Sequence, residues 1–107
     1  MKDFFDIYYL SHTYDFKGPV LLEAIAQTLT TRGTSYEPDS LDRIVALAED
    51  ADMQTKWRYF LRTLQTHDLA LADVIAGMDV FLHPVWDAMI RKAGFRKTWN
   101  ASTMQWV

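Results

Sequence analysis

The chain has 107 residues, of which 50% are hydrophobic and 14% aromatic, and its formal net charge is -3. That much apolar material excludes a disordered tail and is enough for the core of one helical domain spanning residues 1–107. The acidic balance disfavours a free-standing nucleic-acid binder, so RNA binding by this segment alone is expected to be weak and salt-sensitive.

The absence of cysteine excludes disulfides, thiolate metal sites and a cysteine nucleophile. No apolar run reaches the length of a membrane span, so no membrane partner is expected. The opening Met1-Lys2-Asp3 places an acid where a secretory signal would be basic and then apolar. These features together predict a cytoplasmic protein.

Helical periodicity predicts a first helix over residues 2–12. Asp3 and Asp6 fall on one face and lie in the first turns, where negative charge suits the helix dipole. The residues that share another, apolar face are Phe4, Ile7, Tyr8 and Ser11.

A turn over residues 15–19 leads into a second helix, because Pro19 suits a first helical position. Gly33 is expected to end that helix in a left-handed conformation. After a loop over residues 34–40, a short helix holds residues 41–48, with Asp39 or Ser40 as its cap. A stronger helix follows, capped by Asp50 or Asp52 and carrying an apolar stripe over residues 53–64.

His67 and Asp68 break the pattern, and a long apolar stripe then predicts a helix over about residues 70–90. Pro84 is expected to kink or divide that helix, and Gly94 to stop it. Trp99 and Trp106 flank turn-forming residues, which indicates a hairpin or a strap across the helices. The predicted fold is therefore all-α, a compact bundle of five or six helices with a short C-terminal strap or hairpin.

Lys2, Asp3 and Asp6 form the sharpest candidate site. Two carboxylates at positions i and i+3 of a helix can point to one side, where they can bind a divalent metal, accept a proton or orient a basic group. Lys2 beside them suits a phosphate. The residues alone leave open a plainer interpretation, an acidic helix start that serves the dipole.

Other patterns point mainly to structural roles. His12, His67 and His83 lack the i, i+4 spacing of a helical metal site, and each is expected to be a surface or satisfied, partly buried histidine. Ser11 and His12 are neighbours on a helix and are not expected to face each other as nucleophile and base. The four glycines are isolated, which excludes a phosphate-binding loop and a dinucleotide cradle. The stripe containing Trp57 is expected in the core, although Trp57 with Arg58 and Arg62 could alternatively present a stacking, cationic surface to RNA.

Several segments resemble the AbiEii/AbiGii-type nucleotidyltransferase toxins in order and spacing. Residues 1–10 resemble the family's last conserved motif, a basic residue followed by two acids three places apart and then apolar and aromatic residues. Residues 31–34 resemble its Arg-Arg-Gly-Thr stretch, and residues 81–85 its Phe-Leu-x-Pro-Val segment. Its acidic turn and the helix after it are matched by residues 47–50, Gln54, Lys56, Trp57, Phe60 and Leu61.

The resemblance implies a toxin of abortive-infection or type IV toxin–antitoxin systems that uses Mg²⁺ and an NTP to transfer nucleotides to RNA such as tRNA. It implies catalytic-site roles for Asp3, Asp6 and Lys2 in the full-length context. The family's Gly-Ser motif, Asp-x-Asp pair and later Lys belong to an N-terminal catalytic half. This sequence has no Gly-Ser motif followed by an Asp-x-Asp pair. We therefore expect a truncated C-terminal portion, inactive alone and holding neither metal nor cofactor.

Three hypotheses remain open at this point. In the first, the segment packs against the missing catalytic domain and frames the RNA groove. In the second, it is a stand-alone interaction module that binds an antitoxin or another copy of itself. In the third, it is the product of a decayed gene.

Overall fold

A computed structural model describes residues 2–65 and 69–107. These residues contain five α-helices, one 3-10 turn and three short strands, joined by loops. In chain order they are α1 (Lys2–Thr13), β1 (Phe16–Lys17), α2 (Gly18–Thr31), α3 (Ser40–Ala46), the 3-10 turn Leu47–Glu49, α4 (Ala51–Thr63), α5 (Leu71–Ile90), β2 (Thr98–Asn100) and β3 (Gln105–Trp106). The prediction of a mostly helical fold is confirmed.

The main core lies between α4, α5 and the inner face of α1. It forms because the apolar residues of α4 and α5 recur every three or four positions and so face one side of each helix. Partly buried residues of α1, including Phe4, Phe5 and Tyr8, pack against this core from outside. The buried members of the cluster are Trp57, Leu61, Leu71, Val74, Ile75 and Met78.

The C-terminal segment closes the other end of α5 as a small antiparallel sheet of strand order β1-β2-β3. The predicted hairpin is confirmed, because β2 and β3 pair with Trp99 opposite Trp106. The sequence did not reveal β1, which was expected to be a turn and instead pairs with β2, placing Phe16 opposite Trp99. Trp99 is fully buried and its ring packs on Phe81 of α5, with ring centroids 4.8 Å apart.

All four tryptophans donate their indole N–H to a backbone carbonyl in a different segment. Trp99 donates to Ser11 O at 2.7 Å and Trp106 to Phe81 O at 2.9 Å. These bonds satisfy polar groups that burial would otherwise leave unpaired, and they tie the sheet to α1 and α5. The remaining two bonds are Trp57 to Leu69 O at 2.7 Å and Trp86 to Pro38 O at 3.0 Å.

The helix ends test the predicted caps. Gly33 has a φ of 62° and ends α2, as predicted. Asp50 caps α4 by accepting a hydrogen bond from Asp52 N at 3.2 Å, which confirms one of the two predicted caps. Asp39 occupies the cap position of α3, but its carboxylate contacts Arg43 instead of the helix N–H groups.

The prediction that Gly94 stops α5 is wrong. The helix ends at Ile90, and Lys92 takes the left-handed position with a φ of 54°. The bonds Lys92 N to Met89 O and Ala93 N to Ala88 O close the end in the usual Schellman pattern.

Pro84 lies inside α5 and does not divide it, since the helix runs from Leu71 to Ile90. The predicted break at His67 and Asp68 lies outside the described residues. Every helix within the described ranges is too short or too polar to cross a lipid bilayer.

Candidate functional site

Helix α1 presents Lys2, Asp3 and Asp6 on its outward side. At 100° per residue these three side chains fall within about 100° of arc, away from the residues that pack inward. All three are exposed, whereas Ser11 on the opposite side is completely buried. The sequence predicted that Asp3 and Asp6 share a face of the helix separate from the packed face, and their positions in the structure agree with this prediction.

The packing of α1 fixes the direction of these acids. Phe5 lies against Phe60 of α4, with ring centroids 5.9 Å apart. Near the end of the helix, Ser11 O accepts the indole N–H of Trp99. Because both ends of α1 are held in this way, the acids project from a supported helix.

The carboxylates of Asp3 and Asp6 form no ion pair with any residue in the described ranges. Their oxygens are the hard ligands that Mg²⁺ prefers. Two carboxylates do not complete a site, however, and no group of three His, Cys, Asp or Glu in residues 2–65 and 69–107 is arranged to hold a metal ion. The acids fit a metal-nucleotide pocket only as contributors to a larger set of ligands.

A second acidic pair, Asp50 and Asp52, has the spacing Asp-x-Asp. Asp50 is the N-cap of α4 and accepts its hydrogen bond from Asp52 N. The pair therefore serves a helix start, and no Gly-Ser motif precedes it in the chain.

Ser11 and His12 lie closer together than expected, with Ser11 Oγ 3.3 Å from His12 Nδ1. They still do not form a nucleophile and a base. Ser11 Oγ donates to Tyr8 O at 2.9 Å, and His12 Nδ1 lies 2.8 Å from the same carbonyl oxygen. His12 Nδ1 must carry a proton to bind that oxygen, so it cannot accept one from Ser11.

His83 is the centre of a charged cluster that the sequence reasoning missed. Its Nδ1 lies 2.6 Å from Asp79 Oδ1, and its Nε2 lies 3.6 Å from both Asp42 and Asp87. The hydrogen bond with Asp79 raises the pKa of His83 above its ordinary value, against a smaller opposing effect of burial. Both ring nitrogens face carboxylates, as suits a protonated imidazolium that joins α3 to α5. The i, i+4 spacing of Asp79, His83 and Asp87 was the available signal.

The alternative prediction that Trp57 stacks on an RNA base is wrong. Trp57 is 1% exposed, so its ring is not accessible to a base, and the core alternative is confirmed. Arg58 and Arg62 are exposed, and Arg62 lies over the ring of Tyr59 at 5.2 Å. The third histidine singled out by the sequence, His67, lies outside the described residues.

The protein-family model described as "Nucleotidyl transferase AbiEii toxin, Type IV TA system" matches residues 1–92. The chain belongs to the AbiEii nucleotidyl transferase toxin family. No significant match to a curated protein or to a solved structure was found. The family assignment made from the sequence motifs is thereby confirmed, and the match includes the acids of α1 in this AbiEii chain.

Proposed function

We propose that this chain is the helical C-terminal portion of an AbiEii toxin and supplies Asp3 to the nucleotide pocket of a nucleotidyltransferase. In that assembly Asp6 and Lys2 support Asp3, and the complete enzyme transfers nucleotides from an NTP to RNA such as tRNA. The observation that carries the proposal is the outward placement of two exposed acids on a helix inside the matched region, with no ion pair to any residue of the described ranges. The proposed location is the cytoplasm.

The placement of α1 suits such a role because the acids need no rearrangement before they meet a partner. The inner face of the helix packs on the main core, and its outer face is left to solvent. An acid held in one direction by such packing contributes more to a charged pocket than one on a mobile loop.

The same chemistry implies that these residues are inactive alone. Nucleotidyl transfer requires stabilisation of phosphate charge, a cradle for the triphosphate and an aligned nucleophile. A bound divalent cation supplies much of that charge stabilisation. This chain has two exposed acids, one lysine and no Gly-Ser motif. The proposed partners of this chain are therefore two: a catalytic domain that carries the Gly-Ser and Asp-x-Asp motifs, and the antitoxin of the type IV system.

The test is reconstitution. The 107-residue chain is joined to, or mixed with, the N-terminal catalytic domain of an AbiEii family member, and transfer of labelled nucleotide to tRNA is measured. We expect activity only from the combination. Asp3→Asn should lower kcat by at least about 10-fold with little change in thermal stability, because the side chain is exposed and forms no ion pair within the described part of the chain.

Asp73→Asn is the matched control, since Asp73 is also an exposed acid in the first turn of a helix. It should leave activity within 2-fold of the unsubstituted combination. Equal activity of Asp3→Asn and Asp73→Asn would show that Asp3 has no part in the reaction, and the proposal would fail.

A second candidate function is a stand-alone interaction module, and one cavity favours it. A cavity of about 340 Å³ lies between α1, α2, α3 and α5, with a wholly apolar lining. Leu10 and Ile44 line it and are also 40% and 39% exposed. An apolar opening of this kind suits an apolar side chain from an antitoxin or from a second copy of the chain.

Two measurements test this second candidate: light scattering, which gives the oligomeric state, and binding of a dye that recognises apolar surface. A concentration-dependent dimer that Leu10→Ser disrupts would support it. A strict monomer that does not bind the dye would argue against it. Neither result depends on nucleotide transfer, so the two candidates fail separately.

A further inference from the structure

Four cations, Arg91, Lys92, Arg96 and Lys97, are concentrated where α5 ends and β2 begins. Residues 88–107 contain no Asp or Glu, although the whole chain is acidic. We propose that this group, termed the basic patch, binds the phosphodiester backbone of a nucleic acid. Arg96 and Lys97 lie beyond the matched residues 1–92, so the family assignment does not account for the patch.

The fold brings the patch onto a supported surface. Gly18 N donates to Lys97 O at 2.7 Å, and Lys17 pairs with Thr98 in the sheet. Lys17 is therefore a fifth cation beside the patch, contributed by a strand distant in sequence. Its side chain and those of the four patch residues are all exposed.

The nearest acids in sequence are engaged elsewhere. Asp87 directs its carboxylate to His83 Nε2 at 3.6 Å, and Asp15 Oδ1 accepts a hydrogen bond from Ala101 N at 2.8 Å. No ion pair in the described parts of the chain involves a patch residue. The positive charge of the patch is therefore available to bind an anion. The negative net charge of the whole chain gives no indication of this local positive charge.

A nucleic acid fits this surface better than a lipid bilayer does. Proteins that bind membranes peripherally place apolar side chains beside their cations. Here the aromatic residues of the segment point inward. Phe95 packs on Trp106 with ring centroids 4.8 Å apart, and Trp99 is fully buried. A repeating array of phosphates needs only the cations that the patch provides.

The inference stands apart from nucleotide transfer, because backbone binding requires no catalysis. The test measures the affinity of the full chain for a labelled RNA hairpin by fluorescence anisotropy across a salt series. A DNA hairpin of the same sequence is a second probe that shares the phosphates and lacks the 2′-hydroxyls. The patch variant combines Arg91→Gln, Arg96→Gln and Lys97→Gln. The control variant combines Arg32→Gln, Arg43→Gln and Lys56→Gln, which removes the same charge and the same residue types from exposed positions outside the patch.

We expect weak binding that falls steeply with salt. The patch variant should reduce the slope of log affinity against log salt concentration by about 2 to 3, since each phosphate contact contributes about 0.7 to 0.9. The control variant should keep nearly the whole slope. Binding of both hairpins indicates phosphate recognition, and binding of RNA alone adds a contribution from its sugars.

Equal losses in the two variants would show a general effect of net charge and would overturn the proposal. So would an unchanged slope in the patch variant, or patch-dependent binding to phosphatidylserine vesicles without binding to either hairpin. Far-UV circular dichroism of each variant shows whether it remains folded, and all substituted side chains are exposed.

Discussion

Gly18 lies where the start of α2 contacts the segment before β2, and this contact leaves no room for a side chain at position 18. It is buried at the start of α2, and a Cβ added there would lie 2.5 Å from Lys97 O and 2.8 Å from Phe95 Cε1. The first of these atoms is backbone and cannot rotate away. Gly18→Ala must therefore displace the segment before β2 or tilt the start of α2.

The magnitude follows from two opposing effects. Overpacking of this kind costs about 1–3 kcal/mol. Replacing a glycine reduces the entropy of the unfolded chain, which returns about 0.4–1 kcal/mol. The expected net loss for Gly18→Ala is about 1–2 kcal/mol, which lowers Tm by roughly 5–15 °C for a domain of this size.

Gly94→Ala is the matched control. No atom lies within 4 Å of an added Cβ at Gly94, and its φ is not in the left-handed region. It should leave Tm unchanged or raise it slightly. Thermal unfolding followed by far-UV circular dichroism compares the two. A Gly18→Ala protein as stable as Gly94→Ala would refute the packing of the segment before β2 against α2.

Three further predictions concern stability. Trp99→Phe should lower the free energy of unfolding in denaturant by roughly 2–4 kcal/mol, because it leaves Ser11 O without its donor and opens space in a buried site. A loss below about 0.5 kcal/mol, which is near the resolution of such assays, would contradict it. Lys92→Gly should raise the free energy of unfolding by about 1 kcal/mol, because glycine adopts the left-handed conformation without strain. A lower Tm would contradict the left-handed conformation of residue 92. The raised pKa of His83 predicts stability that is complete below about pH 6.5 and declines as pH rises through the folded-state pKa, and His83→Gln should flatten that decline; identical pH profiles would exclude the cluster.

The helical elements could be predicted because their signals are local. The apolar spacing of α4 and α5 repeats over several turns, and Gly33 suits a left-handed helix end without strain. Asp50 lies one residue before α4 and accepts a backbone N–H. Each of these features depends on neighbours within a few residues of the chain.

The failures arise where distant residues decide the structure. Two-residue β1 has no alternating pattern, and its partner β2 lies some eighty positions away. Gly94 looked like the helix stop, but α5 ends at Ile90 and leaves Lys92 in the left-handed position. The turn at that point brings Phe95 against Gly18 and Trp106, and this packing outweighs the preference for glycine.

The candidate site shows the same division. Periodicity alone places Asp3 and Asp6 on the outer face of α1, and the structure agrees. The chemistry of those acids depends on groups that they would meet in a larger assembly, so their role came from the family resemblance. In the cluster around His83, the contacts with Asp79 and Asp87 have the local i, i+4 spacing and could have been predicted. The contact with Asp42 of α3 could not, because no local pattern indicates it.

The most direct test of the proposed role is an assay of the purified 107-residue chain for transfer of labelled nucleotide to tRNA in the presence of Mg²⁺, using each of the four NTPs. The acids of α1 are only part of a nucleotide pocket, so no labelled tRNA should appear above the level of an enzyme-free reaction. Labelling that this chain catalyses by itself, and that Asp3→Asn leaves intact, would contradict both the inactivity and the role given to the acid.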